Sequence, residues 1–244
     1  MGKNEQVPAQ SAVIGKTRMT PSEAFVETMV AQGVKNVFGI VGSAYMDALD
    51  LFPAAGIRFI PTVHEQGSAH MADGYYRVTG KHGVCIGQNG PGISNCVTGI
   101  AAAYWAHSPV VIVTPETGTM GMGLGGFQEA NQLPMFQEFT KYQGHVCNPK
   151  RMAEFTGRVF DRAMSEMGPT QLNIPRDYFY GEIPCTRPMT PAEIAGIRKR
   201  DRYRHHRDLR RQWPQGLRRG RRPRHLCQPG GAQRRGARPR PKRP

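Results

Sequence analysis

From Met19 to about Pro184 the chain alternates short, uniformly apolar runs with longer segments whose apolar residues recur every three to four positions. The runs NVFGIV (36–41), RFIPTV (58–63), GVCIGQ (83–88), PVVIVTP (109–115) and QLNIP (171–175) have the length and continuity of buried strands. Thr20-Pro21-Ser22-Glu23 combines an N-cap threonine, a proline at the first helical position and a glutamate where a capping box needs one. It opens a helix through Phe25, Met29 and Val30 that stops at Gly33. Further helices are predicted over AYMDALDLF (44–52), EQGSAHMADGYYRV (65–78), ISNCVTGIAAAYWA (93–106), a short piece near 132–140, and Pro149 to Met167. In the last of these Met152, Phe155, Val159, Phe160, Ala163 and Met167 keep helical spacing.

Uniformly apolar strands that alternate with helices specify an α/β fold. The expectation is an open, doubly wound sheet of about five mainly parallel strands with helices on both faces. Such sheets bind ligands beyond the carboxyl ends of their strands, where the strand order reverses. Two polar segments fall at carboxyl ends: His64-Glu65 after the second strand, and Asn89-Gly90-Pro91-Gly92 after the third.

Composition then divides the chain. The formal charge of +15 would indicate a nucleic-acid binder if it were evenly spread. It is not: residues 1–194 carry 14 Lys and Arg against 16 Asp and Glu, whereas residues 195–244 carry 19 against 2. From Arg198 to Pro244 there is no Val, Ile, Phe, Met, Ser, Thr, Asn or Glu. Such a segment cannot bury enough apolar surface to offset its ordering entropy, so disorder is expected there. The expected organisation is a polar, disordered extension (1–18), one α/β domain (19–184), and a linker with a disordered Arg/Pro/Gly-rich tail (185–244). The extension lacks the apolar core of a secretory signal, and no apolar run approaches the roughly 18 residues of a membrane span. Five cysteines, far apart and without a CxxC pair, argue against a disulfide framework or zinc module. A reducing cytoplasm and no membrane association are expected.

Several motifs carry candidate chemistry. HEQGSAH (64–70) is not a zinc-peptidase helix, because its second histidine, His70, falls at i+6 rather than i+4. GMGLGG (121–126) satisfies a dinucleotide fingerprint in letters only, since no βαβ unit surrounds it, and it reads as a flexible loop. GPGIS (90–94) joins a strand to a helix, where glycines permit close backbone approach to a ligand; a plain tight turn explains it equally well. Glu65 taken alone is most simply a carboxylate stabilised by a helix N-terminus. Arg77 is most simply a solvated helix residue, and Tyr75 and Tyr76 packing residues.

The combination points further. The run HEQGSAHMADGYYRVTGKHGVCIGQNGPGISN (64–95) closely resembles the pyrimidine-binding domain of thiamine-diphosphate-dependent enzymes, the acetolactate synthase and pyruvate decarboxylase group. The segments FGIVGSAYMDALDLFPAAGI (38–57), AAYWAHSPVVIVTP (102–115), GGFQEANQLPMFQEF (125–139) and LNIPRDYF (172–179) are most similar to the sulfoacetaldehyde acetyltransferase branch. The resemblance spans about residues 19–184.

It implies that Glu65 is the catalytic residue, sharing a proton with N1′ of the cofactor's aminopyrimidine. It implies also that Gly90, Pro91 and Gly92 line the cofactor site, and that Phe127, Gln128, His64 and His107 lie near the substrate; His64 is more simply a structural neighbour of the glutamate. The reaction implied is sulfoacetaldehyde plus phosphate giving acetyl phosphate and sulfite, in a homo-oligomer. The family needs Mg²⁺ and a second cofactor domain bearing Gly-Asp-Gly. This chain has no such motif, no metal ligands are assigned, and on its own it offers half a site.

The tail has two readings. Out-of-frame translation of a GC-rich gene explains the sudden loss of Val, Ile, Ser and Thr. A genuine basic arm with 17 arginines would bind phosphate backbones without sequence preference. RRG occurs only twice and RGG not at all, which favours the first. Three functions follow: a thiamine-dependent acyltransferase domain (acetolactate-synthase-like as the alternative), a nucleic-acid binder acting through the tail, or an inactive fragment.

Overall fold

The computed structural model describes residues 18–185. Residues 1–17 and 186–244, on which the expected extension and tail fall, lie outside the described residues. A two-residue strand β1 (Arg18–Met19) precedes helix α1 (Pro21–Ala31). The expected capping box is formed: Thr20 Oγ accepts from Glu23 N at 3.1 Å, and Thr20 N donates to Glu23 Oε2 at 2.7 Å. A cap of this kind contributes about 1 kcal/mol. The chain continues through β2 (Asn36–Gly39), α2 (Met46–Leu51), β3 (Arg58–Pro61), α3 (Glu65–Thr79) and β4 (Gly83–Ile86). Then come α4 (Pro91–Asn95), α5 (Val97–Trp105), β5 (Val110–Glu116) and α6 (Gln132–Phe136). The last elements are β6 (Tyr142–His145), α7 (Met152–Glu166), β7 (Thr170–Pro175) and β8 (Ile183–Pro184).

Six of these strands form one sheet in the order β3-β2-β4-β5-β7-β6, every pairing parallel. From β2 the chain steps outward to β3, then returns to place β4 on the other side of β2. The order therefore reverses between β2 and β4, and the crevice beyond their carboxyl ends is where an open α/β sheet receives ligands. A separate antiparallel pair, β1 with β8, ties Met19 to Ile183.

Both faces of the sheet are covered, as an all-parallel sheet requires. On one face Val37, Val84, Val111, Leu172 and Ile174 pack with Phe25 and Met29 of α1 and Phe160 of α7. On the other, Phe38, Cys85, Val110 and Ile112 pack with α3, α5 and Phe136 of α6. Among the described residues, no helix is long and apolar enough to cross a membrane.

The doubly wound α/β reading holds, and the five expected strands are all present. The sheet nevertheless has a sixth strand, β6, which the sequence pattern did not announce. YQGH is polar because it is an edge: Gly144 is buried against Val159 and Phe155 while His145 faces outward. The single helix expected over 93–106 is two, α4 and α5, joined at Cys96.

Candidate functional site

Glu65 opens α3, so its carboxyl sits at the N-terminus of a 15-residue helix, where the macrodipole favours negative charge. The side chain is buried, at 9% exposure. His64 is the N-cap: its Nδ1 accepts from Gln66 N at 3.2 Å, and its ring serves the helix it begins. Below, Ser68 Oγ donates to the Glu65 carbonyl at 2.6 Å, fixing the first turn.

Only one oxygen of the carboxyl is engaged. Asn95 Nδ2, on α4, donates to Glu65 Oε2 at 3.0 Å, and no hydrogen bond to Oε1 occurs among the described residues. The wall beside it is glycine: a Cβ at Gly92 would stand 3.0 Å from Glu65 Oε1, and one at Gly87 would stand 3.3 Å from its Cγ. A buried carboxyl with one free oxygen, oriented by an amide and flanked by bare backbone, is arranged to share a proton with a flat nitrogen heterocycle. Tyr45, fully buried, belongs to the same surroundings. Burial pushes its hydroxyl above the ordinary phenol range, and the charge of Glu65 adds to that.

The Asn89–Gly92 turn stands across the switch crevice. Gly90 has φ +65°, and a Cβ there would fall 2.3 Å from the Gln128 carbonyl oxygen, so only glycine fits. Asn89 Nδ2 donates to the Phe127 and Gln128 carbonyls, both at 3.1 Å, which ties the turn to the glycine-rich loop. Gln88 in turn donates to Asn89 Oδ1 at 2.7 Å and accepts from Ala44 N at 3.2 Å, bridging the exits of β2 and β4.

Glu65, Gly90, Pro91, Gly92 and Gln128 are thus brought together around one turn, with Phe127 adjoining and 81% exposed. Gln128 has φ +56°, and its buried Oε1 has no hydrogen-bond partner among the described residues. His107 is elsewhere. It follows the C-cap of α5, Ala106, and leads through Ser108 and Pro109 into the amino end of β5, opposite the carboxyl ends where Glu65 and Gly90 lie.

GMGLGG is a loop, and its glycines have an internal anion. Gly125 N and Gly126 N each donate to Glu129 Oε2 at 3.0 Å, and Gly123 N donates to Oε1. The Gly123 bond leads the effects that hold the Glu129 carboxyl below its usual range. The far end of the loop is anchored by Asp177, which accepts from Thr119 N at 2.9 Å and from the Thr119 hydroxyl. A cavity of about 350 Å³ opens there, lined by Thr117, Met120, Arg176 and Tyr180 among others.

A second polar group at the carboxyl edge went unforeseen. Glu116 ends β5 and His145 ends β6, with His145 Nε2 2.8 Å from Glu116 Oε1. That bond is the leading cause that raises the His145 pKa above the ordinary histidine value. Asn95, the one hydrogen-bond partner of the Glu65 carboxyl among the described residues, was also missed. Its signal was its place four residues after Pro91, one helical turn past the glycine turn.

Residues 19–135 match the family of thiamine pyrophosphate enzymes, N-terminal TPP binding domain. Over 179 residues the chain is 84% identical to a sulfoacetaldehyde acetyltransferase of Alcaligenes xylosoxydans xylosoxydans, covering 73% of this chain and 30% of the relative. It is 73% identical over 180 residues to the enzyme of the same name from Castellaniella defragrans, covering 74% of this chain and 30% of that one. A probable acetolactate synthase large subunit of Methanocaldococcus jannaschii is 36% identical over 177 residues, 72% of this chain and 30% of the relative. The chain therefore spans about 30% of the length of these curated relatives. Through residues 19–135 it belongs to the thiamine pyrophosphate enzyme family, of which it carries the N-terminal, TPP-binding domain.

Proposed function

We propose that residues 19–184 supply the pyrimidine half of a thiamine-diphosphate site in an enzyme that converts sulfoacetaldehyde and phosphate into acetyl phosphate and sulfite. The observation that carries the reading is Glu65: buried, oriented by Asn95, and free at Oε1 beside Gly92. The residues fit an aminopyrimidine, since the bare backbone at Gly87 and Gly92 leaves the carboxyl edge open to a flat ring. When bound, thiamine diphosphate supplies the nucleophilic carbon and the electron sink. Glu65 holds and returns a proton at Oε1, while Asn95 keeps Oε2 from turning toward the incoming ring. Gly90, Pro91 and Gly92 form the wall of the site, and Asn89 sets the position of Phe127 and Gln128 on the substrate side. His64 acts as the helix cap, and His107 has no part at this end of the sheet.

The substrate follows from the relatives: the two named sulfoacetaldehyde acetyltransferase stand at 84% and 73% identity, the named acetolactate synthase at 36%. The matched residues cover about 30% of these relatives, so the test takes the rest of the site from a relative. The test joins residues 1–184 to the remaining domains of the Alcaligenes relative and supplies sulfoacetaldehyde, phosphate, Mg²⁺ and thiamine diphosphate. Release of sulfite with formation of acetyl phosphate is the expected result. Acetolactate from pyruvate, with no sulfite from sulfoacetaldehyde, would overturn the substrate assignment.

A further inference from the structure

Beneath the Gly90 turn lies a chain of buried amides that the proposed chemistry does not use. Gln132, the first residue of α6, is 1% exposed, and its side chain points two ways at once. Its Oε1 accepts from Gly90 N at 3.3 Å, and its Nε2 donates to the Pro115 carbonyl at 2.8 Å. The Gln132 carbonyl accepts from Gln171 Nε2 at 3.3 Å, so the main chain is held as well. Gln171 Nε2 also donates to Thr114 Oγ1 at 3.0 Å, and Gln171 Oε1 accepts from Gln143 Nε2 at 2.6 Å. Thr114 Oγ1 donates to Asn173 Oδ1 at 2.7 Å, and Asn173 Nδ2 donates to Glu116 Oε2. Thr114, Gln171 and Asn173 are all fully buried.

An amide buried this deeply costs stability unless each of its groups is paired, and apolar residues would fill the same space without that demand. Pairing every member leaves Gln132 a single orientation. Turning its amide over would set Nε2 against the Gly90 N–H and Oε1 against the Pro115 carbonyl. We propose that Gln132 is a positioning residue for the Gly90 turn: it fixes the Gly90 amide, and with it the backbone that continues into Gly92 beside Glu65. Its bearing on cofactor binding rests on the thiamine reading above; the positioning itself does not.

Native-state hydrogen exchange of the full chain, followed at the Gly90 amide by NMR without any cofactor, tests this. Gln132→Met keeps the length and removes both side-chain bonds. At least tenfold faster exchange at Gly90 is expected, beyond whatever change the slowest amides of β5 and β7 show. Thr156→Val, which removes a buried hydroxyl bond on α7, is the control for general destabilisation and leaves no such excess at Gly90. Gln132→Glu provides the rescue. Protonated, its carboxyl can accept from Gly90 N and donate to the Pro115 carbonyl as glutamine does. Ionised, it has no proton for Pro115 and sets a negative oxygen against that carbonyl, which turns the side chain away. The protection factor at Gly90 is therefore regained at acid pH and falls as the carboxyl ionises. Exchange at Gly90 that tracks only the slowest amides in Gln132→Met, or no pH response at Gly90 in Gln132→Glu, overturns the proposal. Because no cofactor is present, neither result depends on whether the thiamine reading stands.

Discussion

Glu65 and Glu116 both stand at the carboxyl side of the same sheet, yet the fold treats them in opposite ways. Glu116 ends β5 with each oxygen taken, Oε1 by His145 and Oε2 by Asn173. Glu65 begins α3 with Oε2 held by Asn95 and Oε1 left free against glycine backbone. A carboxyl with both oxygens occupied is a structural member, since moving a proton there would break bonds already made. A carboxyl with one free edge can take a proton from, or give it to, something not in the chain. Burial alone does not distinguish the two; the unsatisfied oxygen does.

Replacing each carboxyl by an amide tests whether the free oxygen is what separates the two. In the enzyme assembled from residues 1–184 and a relative's remaining domains, Glu65→Gln should lower the rate of sulfite release by about 10²–10⁴-fold, the usual worth of a positioned acid–base group. Its denaturation midpoint should hardly move, because an amide can still accept from Asn95. Glu116→Gln should do the reverse. Activity should stay within a few-fold while stability falls by about 1–2 kcal/mol through the weakened bonds to His145 and Asn173. Equal losses of activity in the two variants would show that the free oxygen of Glu65 means nothing.

Gly90 joins the two regions, since it lies between Gln128 and Gln132 and leads into the wall of the Glu65 site. Gly90→Ala adds a methyl 2.3 Å from the Gln128 carbonyl at φ +65°. Strain of about 1–3 kcal/mol for a side chain at φ +65°, ψ −112° and overpacking of a similar size combine to about 3 kcal/mol. Urea denaturation of the full chain should register that loss. A cost below about 1 kcal/mol would mean that the loop gives way and that the turn is not a fixed wall.

How much of this was legible in the sequence depended on what a residue packs against. The capping box at Thr20, the buried strands and the glycine turn are set by neighbours close in the chain, so pattern and spacing revealed them. Glu65 taken alone reads as a carboxylate at a helix N-terminus, and only the family resemblance of residues 64–95 gives it a chemical role. β6 was not visible, because an edge strand with an exposed histidine and a glycine carries little apolar signal. The amide chain was hidden more deeply. QLNIP read as an ordinary buried strand, and only the sheet order, which sets β7 between β5 and β6, brings Gln171 and Asn173 to Thr114, Gln143 and Glu116. His107 is the converse: the family resemblance put it near the substrate, while its place before β5 puts it at the amino end.

The His145–Glu116 pair also makes stability depend on pH. The bond to Glu116, followed by the attraction of its charge, outweighs the opposing effect of burial and raises the His145 pKa in the folded chain. A pKa raised on folding adds stability that is whole below the unfolded value of about 6.5 and is lost as pH rises through the folded value. The pair is partly open, with 42% of the His145 side chain exposed, so solvent screening keeps the contribution at about 0.5 kcal/mol. The stability difference between the wild-type chain and His145→Gln, measured by urea denaturation from about pH 6 to 8.5, should therefore favour the wild type at the acid end and shrink toward the basic end. The same series on Glu116→Gln should be flat, since the variant has lost the carboxylate that raises the histidine. A pH dependence that survives in Glu116→Gln would detach His145 from Glu116. Glu116 would then be held by Asn173 alone, and the contrast with Glu65, itself held by a single asparagine, would be lost.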